Sequence, residues 1–331
     1  MKRHKICKII LAILAVFLCV AFYELIGICI TYKKQPAVSD ATIKETQNIM
    51  SVAGRENTER AVIIEKNSQA LLERVRLIQN AKDEIILSTF AFKSDESGKL
   101  ILGALHDAAD RGVHVRILVD GMESWIDMEG NPYFYGLSSH ENVEIKLYNK
   151  ANPLKPWKTM GRMHDKYLIA DGKIYILGGR NTYNYFLGDF PGHKNFDRDV
   201  LVVCDEPQKD NSVNQLWNYF ETIWEQEDCR YFHNSKKLAD RQSVKKAVLE
   251  LQEGYQQYFE VNKEKICDTD YADETFETEK ITLLSNPIHT QAKEPVVWYQ
   301  LGELMKNAKE RVKIHTPYTV SYTHLRAHET L

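Results

Sequence analysis

No excess of positive charge runs through this chain. Its 43 Lys and Arg are set against 46 Asp and Glu over 331 residues, a net charge of −3, so the overall balance offers no electrostatic argument for nucleic acid as the main partner. A local basic groove would not register in that sum. Cysteine is sparse as well. Of six, Cys7, Cys19 and Cys29 lie in or beside one apolar run, and Cys204, Cys229 and Cys267 are an odd number without metal-ligand spacing. Neither a disulfide framework nor a zinc site is expected. The acidic stretch holding Asp268, Asp270, Asp273, Glu274, Glu277 and Glu279 lacks the glycine-bearing pattern of a calcium loop and reads as a solvated linker. No metal and no cofactor is expected.

What is present begins at the amino terminus. Lys2, Arg3, Lys5 and Lys8 precede an apolar run from Ile9 to Tyr32, interrupted only by Glu24. The run is long enough to span a bilayer, and no clear small-x-small cleavage site follows it. A retained single-pass anchor in the cell membrane is expected. Four basic residues before the run against Lys33 and Lys34 after it favour an extracytoplasmic catalytic part.

The chemistry is concentrated further on. Lys166 to Ala170 and Lys173 to Leu177 read as two strands joined by Asp171-Gly172, a strong hairpin signal. His164 and Lys166, two apart, leave one face of the first strand. After the second, Gly178 and Gly179 let backbone approach a bulky anion, and Asn181 adds an amide. An imidazole can attack phosphorus while a lysine neutralises the non-bridging oxygens, so the group reads as a phosphodiester site that requires no divalent metal. Asp165 should face away from His164. Arg162, on the alternating face, is either a headgroup ligand or a surface arginine. Lys155-Pro156-Trp157-Lys158 is either an interfacial lip or a loop packed on the domain.

These residues resemble the phospholipase D superfamily, whose signature His-x-Lys-x4-Asp-x6-Gly-Gly/Ser-x-Asn is matched by His164, Lys166, Asp171, Gly178, Gly179 and Asn181. The flanking segments 161–166, 178–186 and 195–200 look most like the bacterial cardiolipin synthase branch. The resemblance implies a covalent phospho-histidine on His164, a site built from two halves with one histidine each, and a phospholipid substrate with an alcohol acceptor. By position, Asp197 looks like the acid that holds the nucleophilic histidine through its other ring nitrogen, with Asp199 the close alternative and a salt bridge to Arg198 the competing role. Asp171 is assigned an architectural role. The implied activity is phosphatidyl transfer at a membrane. Hydrolysis by water, a membrane-tethered nuclease of the same scaffold and an inactive fragment are the alternatives.

The expected fold is α/β, a phospholipase D-like mixed sheet flanked by helices. Periodicity predicts a helix near Ser68 to Ala81, a strand near Glu84 to Phe92, a helix near Lys99 to Ala109, strands at Val113 to Asp120, Val143 to Tyr148 and Arg198 to Val203, and an amphipathic helix around Leu216 to Trp224. The expected organisation is an anchor over residues 1–34, a linker over 35–60, a first repeat with the motif over 61–235, a connecting helix and acidic linker over 236–280, and the start of a second repeat over 281–319. Asn80 to Thr89 aligns with Asn307 to Thr316 at an offset of 227 residues. That offset carries His164 to about position 391, so the second histidine is expected beyond this chain or from a second protomer. Residues 320–331 look like the translation of a sequencing adapter. Resequencing the locus without transposase tests that expectation, and recovery of the same tail would sink it.

Overall fold

The computed structural model describes residues 2–33, 35–51, 59–207 and 210–314. In chain order its helices and strands are α1 (Lys2–Tyr32), α2 (Asp40–Ser51), β1 (Glu59–Ile64), α3 (Asn67–Asn80), β2 (Glu84–Thr89), α4 (Glu96–Asp110), β3 (His114–Asp120), α5 (Gly121–Asp127), α6 (Pro132–Ser138), β4 (Val143–Tyr148), β5 (Tyr167–Ala170), β6 (Ile174–Gly178), β7 (Asp199–Cys204), α7 (Ser212–Trp224), β8 (Cys229–Tyr231), α8 (Gln242–Ile266), β9 (Phe276–Glu277) and α9 (Val296–Asn307).

The strands form one mixed sheet in the order β8-β4-β3-β2-β5-β6-β7-β1-β9. β2, β3 and β4 run parallel, whereas β5 is antiparallel to both β2 and β6. Both faces are covered, and the period of two sorts the side chains. Ile85, Leu87, Leu168 and Ala170 enter one core with residues of α3, α4, α6 and α8. Ile86, Tyr167 and Ile169 enter a second with Leu216, Phe220 and Ile223 of α7. The α/β alternation is the one the periodicity predicts, and the mixed sheet between helices is the one the family resemblance implies.

The β5–β6 connection, residues 171–173, has positive φ at Asp171 (52°) and Gly172 (61°), the twist a tight hairpin requires. Asp171 also caps the start of β2: Oδ1 accepts from the backbone N–H groups of Asp83 (2.8 Å) and Glu84 (3.0 Å), and Oδ2 from Lys82 (2.9 Å). Its carboxylate therefore ties the hairpin to the strand beside it. Asp171→Ala is expected to lower stability by about 1–3 kcal/mol in urea unfolding, with Asp171→Asn losing less. An unchanged midpoint in the alanine variant would remove this architectural role.

Three stretches differ from the sequence reading. Residues 35–60 contain α2 and the beginning of β1, the latter pairing along β7. α8 is more than a connector: Val244, Ala247, Leu251 and Tyr255 are buried, and Gly103 of α4 lets its backbone come close, since a Cβ there would stand 2.6 Å from Leu251 O. The acidic stretch is likewise anchored. Arg76 binds Glu274 at 2.9 Å and the Asp268 carbonyl at 2.7 Å, and β9 adds to the sheet edge at β1. A buried guanidinium needs carboxylate and carbonyl partners, so the stretch is tied down at Arg76 while its acidic side chains stay exposed to solvent, as the sequence predicts. Beyond α9, residues 311–314 form no strand. The remainder of the repeat alignment, from residue 315, and the adapter-like tail lie outside the described residues.

Candidate active site

The site lies at one end of the central strands, where β2 and β3 end, β5 begins and β6 runs into the Gly178-Gly179 turn. β5 starts at Tyr167, so His164 and Lys166 sit in the extended segment just before it. Both still reach one aromatic ring: Phe90 lies 4.6 Å from the His164 ring centroid and 5.3 Å from Lys166 Nζ. Lys166 is buried and turns back to donate to the His164 carbonyl at 2.7 Å, whereas His164 is exposed. The result is an open imidazole backed by a sheltered ammonium.

Electrostatics separate the roles of these two groups. Partial burial, and next the charge of Lys166, lower the His164 pKa below its ordinary 6.5, with Asp120 acting the other way. The ring is therefore neutral at pH 7, as a nucleophile must be. Burial pushes Lys166 down to about 8, against the fields of Asp165, Asp197 and Asp120. It keeps its charge at pH 7 and loses it as pH rises through about 8. A profile of kcat/KM is accordingly expected to rise through an acid limb below 6.5 and to fall along an alkaline limb near 8. Lys166→Arg should remove the alkaline limb, because guanidinium does not titrate there. An alkaline limb that stays near 8 in that variant would show that Lys166 does not cause it.

The Gly-Gly turn is close-fitted. A Cβ on Gly178 would strike the Asp199 carboxylate, and one on Gly179 the Asp197 carboxylate. Asn181 accepts the Ala91 N–H on Oδ1 at 3.2 Å, which turns its NH2 end away from that strand. Arg180, between these residues, is wholly buried. It donates to Asn67 Oδ1 (3.1 Å), Ile64 O (3.2 Å) and Glu65 O (2.6 Å), and also to Asp197 O. Asp199 is buried between Arg74 (2.9 Å) and Arg180 (3.2 Å).

A family model described as "Cardiolipin synthase, PLD-like domain" matches residues 75–224, which contain every motif residue. Residues 75–224 thus carry a phospholipase D-like domain, most similar to that of cardiolipin synthases. An uncharacterized protein of Helicobacter pylori (strain ATCC 700392 / 26695) is 27% identical over 292 residues, 80% of this chain and 55% of that protein. Cardiolipin synthase C of Escherichia coli (strain K12) is 29% identical over 154 residues, 42% of this chain and 31% of that protein. The chain thus spans about half of the first relative and about a third of the second. Among solved structures, phosphatidylserine synthase of Haemophilus influenzae Rd KW20 is similar over 67% of this chain and 48% of its own, at 15% identity and a TM-score of 0.44.

In this phospholipase D-like site, His164, Lys166, Gly178, Gly179 and Asn181 stand together at that end of the central strands. Asp171 lies at the far end of the hairpin. Asp197 sits over Gly179 and its field reaches Lys166, but among the described residues no carboxylate hydrogen-bonds a ring nitrogen of His164. Arg198 pairs with Glu65 at 2.9 Å, and the Asp197 carboxylate accepts the Arg198 N–H of its own turn. Arg162 is engaged by Asp120 and by the Asn149 carbonyl.

Sequence reasoning missed Asp120, Phe90 and the surroundings of Asp165. Asp120 is fully buried. It caps α5 through Met122 N–H (3.0 Å), binds Arg162 and accepts the Met163 N–H at 3.1 Å, so it holds the backbone that presents His164. Its one sequence signal is its place at the end of a strand. Asp165 is bound on the α7 side, whereas the His164 ring lies against Phe90. Asp165 still lines the same cavity of about 400 Å³, with Tyr148, Tyr219 and Lys293, and accepts from Tyr219 Oη at 2.8 Å.

Proposed function

We propose that this chain is the anchored catalytic part of a phosphatidyltransferase resembling cardiolipin synthase, with His164 as the nucleophile. The observation that carries the reading is the pairing of a neutral, exposed imidazole with a buried lysine beside a Gly-Gly turn. That pairing supplies a free nucleophile and a fixed positive charge at one place. A ring nitrogen of His164 forms a bond to phosphorus, and the bond from phosphorus to the first alcohol breaks. That alcohol leaves with a proton from an acid. In the second half an acceptor alcohol gives up its proton, attacks the same phosphorus and breaks the P–N bond, restoring the imidazole.

In both steps the Lys166 ammonium neutralises charge on the non-bridging oxygens and the NH2 group of Asn181 donates hydrogen bonds to them. Among the described residues that line the cavity, His164 is the one histidine. We therefore assign the proton to a histidine of a second half or a second protomer. α1 contains Lys5–Thr31, long and apolar enough to cross a membrane, and we assign it as the anchor, with the catalytic part extracytoplasmic by the distribution of flanking charge.

Incubation with labelled phosphatidylglycerol or phosphatidylethanolamine tests the reading. Cardiolipin formation is the expected result, and phosphatidate alone would make the protein a hydrolase. Absence of both, together with nuclease activity that falls steeply with salt, would overturn the lipid assignment.

A further inference from the structure

The segment between β4 and the motif exposes apolar side chains with no covering element: Leu154 is 78% exposed, Met160 55% and Trp157 42%. In a water-facing loop this grouping would be unfavourable, and its neighbours give it a direction. Tyr23 of α1 donates to the Leu154 carbonyl at 3.2 Å. Gly27 of α1 lies so close to Pro156 that a Cβ would collide with its ring. The loop is therefore packed onto the apolar helix itself.

The helix sets a depth. Gly27 is four residues before Thr31, the end of the apolar span, which is about 6 Å along an α-helix. The span's 27 residues extend about 40 Å, the thickness of a bilayer with its headgroups, against about 30 Å for the hydrocarbon alone. A headgroup layer is thus roughly 5–8 Å deep on each side. Gly27 and the loop it touches fall at the inner boundary of that layer. The composition agrees: Trp157 carries an apolar body with a polar edge, and Lys155 has a stem that can bury while its charge stays in water.

We propose that Leu154–Met160 is an interfacial lip seated in the headgroup layer of the bilayer that α1 enters. The proposal rests on the membrane-anchored reading above and adds to it where the catalytic end stands. Asn149 donates from Nδ2 to the carbonyls of Lys158 and Gly161, each at 2.7 Å, and Lys158 is pinned to Asp228 at 2.6 Å. The lip is thereby fixed to the end of β4, and three residues beyond Gly161 the chain reaches His164. A lipid phosphodiester at headgroup depth meets the imidazole without leaving the bilayer.

The test uses the full chain in phosphatidylglycerol–phosphatidylcholine vesicles, with an environment-sensitive fluorescent amino acid in place of Leu154, Trp157, Phe17 or Leu249. Positions 154 and 157 should show blue-shifted emission and quenching by lipid-borne quenchers, position 17 stronger quenching still, and the exposed α8 position 249 neither. Quenching at 17 but not at 154 and 157 would overturn the lip and leave the anchor standing. No quenching at 17 would overturn the anchor, and the lip with it. A shift at 154 that disappears as protein is diluted in lipid would assign this face to a second copy of the chain instead.

Discussion

His164→Ala is expected to reduce turnover by roughly 10⁴-fold or more and to abolish trapping of a covalent phosphoryl-enzyme. The size follows from the role. No other described histidine lines the cavity, so removing the ring removes the nucleophile and leaves only binding and charge neutralisation. The fold should not change, because the side chain is exposed and its contact in the structure is the edge of Phe90. Unfolding curves that superimpose while labelling disappears would complete the expected pattern. Turnover within a factor of a few of the parent would remove His164 from the mechanism.

The second large effect is on stability. Asp199 is buried with Arg74 and Arg180, both nearly devoid of solvent contact. Removing one member of a buried charge cluster leaves the others uncompensated in a low dielectric. Asp199→Ala is expected to cost about 3–5 kcal/mol in urea unfolding, and Arg180→Met a similar amount, since it also withdraws donors from Asn67 and from the carbonyls of Ile64 and Glu65. The experiment separates two roles for Asp199. As a structural anion, its loss should lower activity only in proportion to the folded fraction. As the partner of His164, its loss would lower kcat in a fully folded enzyme, and a destabilisation below about 1 kcal/mol would favour that role.

Asp197 and Asp199 show where sequence legibility stops. They are two apart, share a residue type and stand on one face by alternation, so no local pattern ranks them. In the fold Asp199 is enclosed by two arginines from α3 and the Gly-Gly turn, and Asp197 sits over Gly179 with its field reaching Lys166. Asp120 is the same lesson in reverse. Nothing near it in sequence announces a role, yet 42 residues later Arg162 arrives to pair with it. α8 likewise carries charges among its apolar positions, and only contact with α4 makes a core element of it.

The sequence alone determined the hairpin and the α/β alternation, because each depends on short-range rules: positive φ at Asp-Gly and period-two alternation; the phosphodiester reading came from residue types whose reactivity is intrinsic. It determined the long apolar helix for the same reason. The tertiary structure decided which carboxylates are buried, which way the pKa of Lys166 moves, and that the loop before the motif lies on the long apolar helix. Those depend on desolvation and on pairs of residues brought together from distant parts of the chain, energies that no local pattern contains.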